Sequence, residues 1–210
     1  MNSDQFLRAI RPYGLIPVIK LEHLEDARHI GRGLCDGGLP IAEITFRSEY
    51  AEAGIALLCK EFPELLVGAG TVLTPSQADA ARSAGARFIV SPGFNPRLVD
   101  HVLRTGTIMI PGVSNPSQIE WALEKGLSVL KFFPAEVSGG VRFLKAVAPV
   151  YPQVHFLPSG GIGLENVREY LALPMVSACG GSWLTKAGTA EGIAAEVRKS
   201  LNLVRGVADV

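Results

Sequence analysis

The chain has 210 residues, 48% of them hydrophobic and 19% charged, a balance that suits a compact globular protein and excludes a disordered one. Lysine plus arginine and aspartate plus glutamate number 20 each, so no general positive field is available for a nucleic-acid backbone and any anion site must be local. Every apolar run stops well short of the roughly twenty residues that span a bilayer, and the opening MNSDQFLRAIRPYG has no long apolar core, so a cytoplasmic protein with no membrane partner is expected.

SDQFLRAIRPYG reads as an extra N-terminal helix across the bottom of the fold. Eight short apolar, β-branched runs follow: LIPVI 15–19, IAEITF 41–46, LLVGAG 65–70, RFIVSP 87–92, TIMIPG 107–112, SVLKFF 128–133, VHFLPSGG 154–161 and VSACGG 176–181. Their starts lie 20 to 26 residues apart, room for one helix and two short loops in each interval. Helical patterns occupy those intervals. LEDARHIGRGLCDGG spaces Ala27, Ile30 and Leu34 by three and four and stops at Gly37-Gly38; TPSQADAARSAGA opens with a capping threonine and a first-turn proline. NPRLVDHVLRTG and NPSQIEWALEKG both open Asn-Pro and close at a glycine, and GTAEGIAAEVRKSLNLV supplies the last helix. Eight strands with alternating helices predict a (β/α)8 TIM barrel with an extra N-terminal helix; a doubly wound open sheet is the structural alternative. Length permits one domain or two, but no Pro-, Gly- or Ser-rich linker divides the chain, so a single domain over 1–210 is expected.

A barrel gathers its chemistry at the C-terminal ends of its strands, which turns scattered polar residues into a candidate site. Glu43, in IAEITF, shares a strand face with Ile41 and Thr45 and is either a salt-bridged structural acid or a general acid/base. Lys131 sits among Val129, Leu130, Phe132 and Phe133; it either pairs with an acid or serves as a desolvated amine able to attack a ketone. Each makes the functional reading of the other stronger. PSGGI 158–162 and CGGSWL 179–184 are glycine-rich turns after the last two strands, so Gly160, Gly161, Gly180, Gly181 and Ser182 form a candidate phosphate cradle. Arg47 is placed to clamp a carboxylate and Thr71 to orient one, although a solvent-facing arginine and a capping threonine are the ordinary alternatives. Phe133 is a candidate wall of the site, while Pro92 and Pro111 shape its mouth.

The four histidines, His23, His29, His101 and His155, have no HxH or HExxH spacing, so neither a metal nor another cofactor is expected. Cys35, Cys59 and Cys179 are odd in number and far apart, which favours buried free thiols. Tyr50, Trp121 and Trp183 are candidates for a subunit surface, with ordinary packing as the alternative.

IAEITFR 41–47, VGAGTVL 67–73, KFFPAE 131–136, PSGGI 158–162 and GGSWL 180–184 together resemble the class I aldolases of the 2-keto-3-deoxy-6-phosphogluconate (KDPG) family. The likeness covers nearly the whole chain. It implies a homotrimeric barrel enzyme of the Entner–Doudoroff pathway that cleaves a phosphorylated 2-keto acid to pyruvate and glyceraldehyde 3-phosphate. It further implies that Lys131 is the Schiff-base lysine and Glu43 the acid/base residue. Arg47 and Thr71 resemble the carboxylate-binding groups, Phe133 the aromatic wall beside the imine with Pro92 and Ser159 also lining the substrate, and Gly160, Gly161, Gly181 and Ser182 the phosphate end. One departure is Ser159, where many members carry threonine: the hydroxyl stays, a methyl is lost, and discrimination between sugars is the property it touches. The nearest rivals are an aldolase for 4-hydroxy-2-oxoglutarate or for the 6-phosphogalactonate epimer. More distant ones are a phosphosugar isomerase that gives Lys131 no covalent task and a phosphate-binding barrel without turnover.

Overall fold

Residues 1–205 are described by the structure, a computed structural model of the chain. Residues 206–210, part of the expected single domain, lie outside the described residues. The first helix, α1 (Ser3–Ile10), begins at a capping box in which Asn2 accepts from the Gln5 N–H at 2.9 Å and Gln5 Oε1 accepts from the Asn2 N–H at 2.8 Å. It buries Phe6, Leu7 and Ile10, and the Phe6 ring packs 5.0 Å from that of Phe88 at the start of β4. The N-terminal helix thus lies against the entry ends of the strands, as the sequence suggests.

Among the described residues nine parallel strands follow: β1 (Leu15–Ile19), β2 (Ile41–Thr45), β3 (Leu66–Gly70), β4 (Phe88–Val90), β5 (Ile108–Ile110), β6 (Gly112–Val113), β7 (Val129–Phe132), β8 (His155–Pro158) and β9 (Cys179–Gly181). Almost every strand residue is buried, the signature of parallel strands covered on both faces. The α/β architecture is present, but the strands do not form the single closed eight-stranded ladder expected from the sequence. They form two sheets, ordered β5-β4-β3-β2-β1-β9 and β6-β7-β8. One seam falls at Pro111, where the run TIMIPG passes from β5 in one sheet to β6 in the other; proline has no N–H for the ladder, although its carbonyl accepts from the Lys131 N–H at 3.0 Å. At the other seam β8 meets the segment around β9 only through isolated bridges, Phe156 with Val176 and Ser159 with Gly180.

The crossover helices are α2 (Asp26–Gly37), α3 (Ala51–Glu61), α4 (Pro75–Ser83), α5 (Pro96–Arg104), α6 (Pro116–Glu124), α7 (Gly140–Val147) and α8 (Val167–Leu171), with α9 (Ala190–Val204) last. Proline at the first turn is tolerated because that N–H has no helical partner, and α4, α5 and α6 use it behind capping Thr74, Asn95 and Asn115. The last helix packs tightly on the first crossover helix: Cβ atoms at Gly33 and Gly37 would stand 2.6 Å from Ile193 and 2.7 Å from Val197, so only glycine permits this approach of α2 to α9. Among the described residues no helix is long and apolar enough to cross a membrane. The three cysteines are free thiols; Cys179 is buried, whereas Cys35 and Cys59 are only half-buried, less than the sequence suggested.

Candidate active site

Glu43 is the middle residue of β2 and Lys131 the third of β7, so they belong to different sheets and are separated by 88 residues in sequence. Their side chains meet in the interior, where Lys131 Nζ donates to Glu43 Oε1 at 3.3 Å. Lys131 is 6% and Glu43 4% exposed, so the pair is almost fully desolvated and each charge depends on the other. A small cavity opens on them, with Ser159 and Gly180 at its polar side and Ile16 and Leu157 among its apolar walls. Room for the carboxylate is made by Gly70, since a Cβ there would overlap Glu43 Oε1.

Arg47 lies just beyond β2 and is exposed at the rim. Its Nε donates to Thr45 Oγ1 at 3.1 Å, and that buried hydroxyl donates in turn to the Ile19 carbonyl at the end of β1, at 2.8 Å. The guanidinium is therefore tied through one edge, while its two terminal nitrogens have no protein partner among the described residues. Thr71 follows β3 with φ at +54°, the left-handed region that a β-branched residue rarely occupies. The Phe133 ring lies 5.3 Å from Lys131 Nζ, a cation–π approach. Pro92 follows β4, its carbonyl so close to Gly112 that a Cβ there would overlap it; this fixes Pro92 beside the β5–β6 seam, and it is not among the residues bounding the cavity.

The two glycine turns stand side by side because Ser159 bridges Gly180. A Cβ at Gly180 would come within 2.9 Å of Ser159 Oγ, so glycine there gives the hydroxyl its space. Gly160 and Gly161 have φ at +95° and +78°, conformations open to glycine. Gly181 ends β9 against the ring of Trp183, and Ser182 leads into the short turn Trp183–Thr185. Trp183 is held inward by its Nε1 donating to Ser200 at 3.1 Å, which favours packing over a subunit surface; Trp121, at 49% exposure, does face outward.

Neither the Cys35 nor the Cys179 thiol ionises readily. Burial and the neighbouring Glu64 push the Cys35 thiol up to about 12, and burial alone pushes Cys179 well above its usual range. His155 starts β8, at the end remote from the cavity, and lies against Arg11 just beyond α1. The sequence reading missed Thr45 and Gly70. IAEITF alternation places Thr45 on Glu43's face, and the glycine opposite a buried acid was the other available sign.

A family model described as "KDPG and KHG aldolase" matches residues 7–199. The 2-dehydro-3-deoxy-phosphogluconate aldolase of Treponema pallidum is 50% identical over 179 residues, 85% of each chain. The chain belongs to the KDPG and KHG aldolase family. Among solved structures, the 2-keto-3-deoxy-6-phospho-gluconate aldolase of Zymomonas mobilis superposes on this aldolase with a TM-score of 0.90 at 37% identity, covering 95% of this chain and 98% of that one. The KDPG aldolase of Legionella pneumophila, with pyruvate captured as a covalent carbinolamine, matches with a TM-score of 0.88 at 38% identity over 92% and 97% of the two chains. The protein is an enzyme of the class I type, a lyase working through a Schiff base, which sets aside the isomerase and the non-catalytic barrel.

Proposed function

We propose that this aldolase cleaves KDPG to pyruvate and glyceraldehyde 3-phosphate through an imine on Lys131, with Glu43 as the proton carrier. The observation that carries the reading is the buried 3.3 Å contact between the two groups at the cavity wall. It gives the ammonium a path for its proton to the carboxylate, leaving the neutral amine to attack the C2 ketone. Carbinolamine forms, the protonated Glu43 gives its proton to the carbinolamine hydroxyl, which leaves as water, and the protonated imine becomes an electron sink. Glu43, back in its carboxylate form, takes the C4 hydroxyl proton; the C3–C4 bond breaks, glyceraldehyde 3-phosphate departs, and an enamine of pyruvate remains. The protonated Glu43 returns a proton to C3 before water hydrolyses the imine. That the Legionella relative holds pyruvate as a carbinolamine supports the covalent route.

In this reading Arg47 and Thr71 take the pyruvoyl carboxylate. The tether through Thr45 favours it, because it spends only the Nε edge of the guanidinium. Phe133 and Ser159 line the substrate, Pro92 stands back from the cavity, and the amides around Gly160, Gly161, Gly181 and Ser182 take the phosphate, a role that backbone N–H groups on left-handed glycines suit. We read the two sheets, of six and three strands, as arcs of one (β/α)8 barrel, a reading supported by the Pro111 carbonyl between β5 and β7, the two bridges at the other seam and the packing of α9 on α2. The chain acts as one cytoplasmic domain and assembles as a homotrimer, for which the exposed Trp121 beside Phe94 offers an apolar contact and solution mass is the test.

Purified enzyme should release equimolar pyruvate and glyceraldehyde 3-phosphate from KDPG, and Lys131→Ala should not. The family's two-substrate description favours a second activity on 4-hydroxy-2-oxoglutarate, which shares the pyruvoyl head and lacks the phosphate. Comparing kcat/KM for the two substrates ranks them, and a clear preference for the phosphate-free one would reverse the assignment. The 6-phosphogalactonate epimer belongs in the same comparison.

A further inference from the structure

Behind the glycine turn after β8 stands a second pair of side chains that the reaction does not use. Tyr170 of α8 is 1% exposed, and its hydroxyl donates a short hydrogen bond to Glu136 Oε1. Glu136 ends the KFFPAE stretch and opens the turn Glu136–Ser138, so it is tied covalently to the strand that carries Lys131. Its backbone N–H donates to the Gly160 carbonyl at 3.1 Å, one residue after Ala135 does the same to Ser159 at 2.8 Å. Its methylenes support the next residue: a Cβ at Gly161 would stand 2.6 Å from Glu136 Cγ and 2.7 Å from Cβ. Gly140, with φ at +55°, leaves room for the pair, since a Cβ there would lie 3.0 Å from the Tyr170 hydroxyl and 3.1 Å from Glu136 Oε1. On the far side Asn166 Nδ2 donates to the Gly161 carbonyl at 3.0 Å.

The carbonyls of Gly160 and Gly161 are thus both occupied by the protein, and the turn cannot rotate them toward a ligand without losing those bonds. A carboxylate standing this close to an anion cradle would ordinarily repel a phosphate. Here one of its oxygens is engaged by a buried phenol.

We propose that Tyr170 and Glu136 form a brace that fixes the Gly160–Gly161 turn and keeps the Glu136 charge engaged, making Tyr170 a positioning residue for phosphorylated substrates. The inference rests on the reading that this turn takes the phosphate. A brace of this kind acts on the phosphate end and leaves the pyruvoyl end alone, so its effect is a change in preference between substrates.

The test compares kcat/KM for KDPG and for 4-hydroxy-2-oxoglutarate in the intact enzyme, Tyr170→Phe, Glu136→Gln and the double variant. Tyr170→Phe should lower the preference for KDPG about three- to tenfold, the scale of losing one ordinary hydrogen bond, chiefly through KM. Activity on 4-hydroxy-2-oxoglutarate should stay within about twofold of the intact enzyme, because the buried ring and its packing remain. Glu136→Gln alone should keep the preference, since its amide oxygen still accepts from Tyr170, and in the double variant it should restore part of what Tyr170→Phe loses. Equal losses on both substrates, or a preference unmoved by Tyr170→Phe, would overturn the brace while leaving the phosphate reading intact. An intact enzyme with no preference for KDPG would overturn the phosphate reading and the brace with it.

Discussion

Gly70 lies directly against the carboxylate of Glu43: a Cβ built on it would stand 2.7 Å from both Cδ and Cγ of the acid. The two residues sit on adjacent strands, with Gly70 paired to Thr45 in the β2–β3 register. Gly70→Ala therefore has to push Glu43 away from Lys131, and a displacement near 1 Å at a reacting group costs on the order of a hundredfold in rate. The expected outcome is a kcat for cleavage about tenfold to a hundredfold lower, with the lysine adduct with pyruvate still formed. A normal kcat would show that Glu43 has slack the geometry does not suggest.

Thr45 ties Arg47 to the Ile19 carbonyl through one hydroxyl that donates once and accepts once. Thr45→Val keeps the shape and removes both side-chain bonds, a loss of about 0.5–1.5 kcal/mol in stability. It should also raise KM for pyruvoyl substrates several-fold while kcat changes little, and Thr45→Ser should recover most of that rise. Urea melts and steady-state kinetics on the same samples separate the two effects.

Thr71 pays for its position in the left-handed region, where a side chain costs about 1–2 kcal/mol. Thr71→Gly removes that strain and adds about 0.5–1 kcal/mol of unfolded-chain entropy, so a small net gain is expected, about 1–4 °C in Tm for a chain of this size. The variant also loses the hydroxyl assigned to the carboxylate, so substrate KM should rise as Tm rises. A fall in both Tm and affinity would count against strain at this residue.

His155 provides a pH-dependent term in stability. Burial, and then the charge of Arg11, hold its imidazole below the usual range against a weaker upward pull from Asp4. Arg11 Nη2 lies 2.9 Å from Nδ1, a contact that suits the neutral ring. The unfolded chain therefore takes up a proton near 6.5, at a pH where the folded one does not. The stabilisation is complete above that value and is lost as pH falls through the lower folded value. Denaturant melts between pH 7.5 and 5 should show a decline that is shallower in His155→Gln; equal slopes would remove His155 from the account.

Much of this was legible in the sequence because parallel strands announce themselves as short apolar runs. All eight runs contain strand, and the helices α4, α5 and α6 start at the prolines that mark them. What was not legible is the break at Pro111, which reads as the end of a run when it is the point where one strand leaves one sheet for another. In the site, Glu43 and Lys131 stood out because a charge in an apolar strand needs a reason. Thr45 and Gly70 did not, since a threonine in a strand and a glycine at its end are ordinary until the neighbours they serve are in view. Tyr170 was less visible still: its partner lies 34 residues away, and no local pattern joins them.

The central claim is that Lys131 is the amine that forms the imine. Incubation with pyruvate and borohydride, followed by peptide mass mapping, should place one reduced pyruvate adduct on the peptide containing Lys131 and abolish activity in step with its formation. Adduct on another lysine, or full activity retained without any adduct, would contradict it.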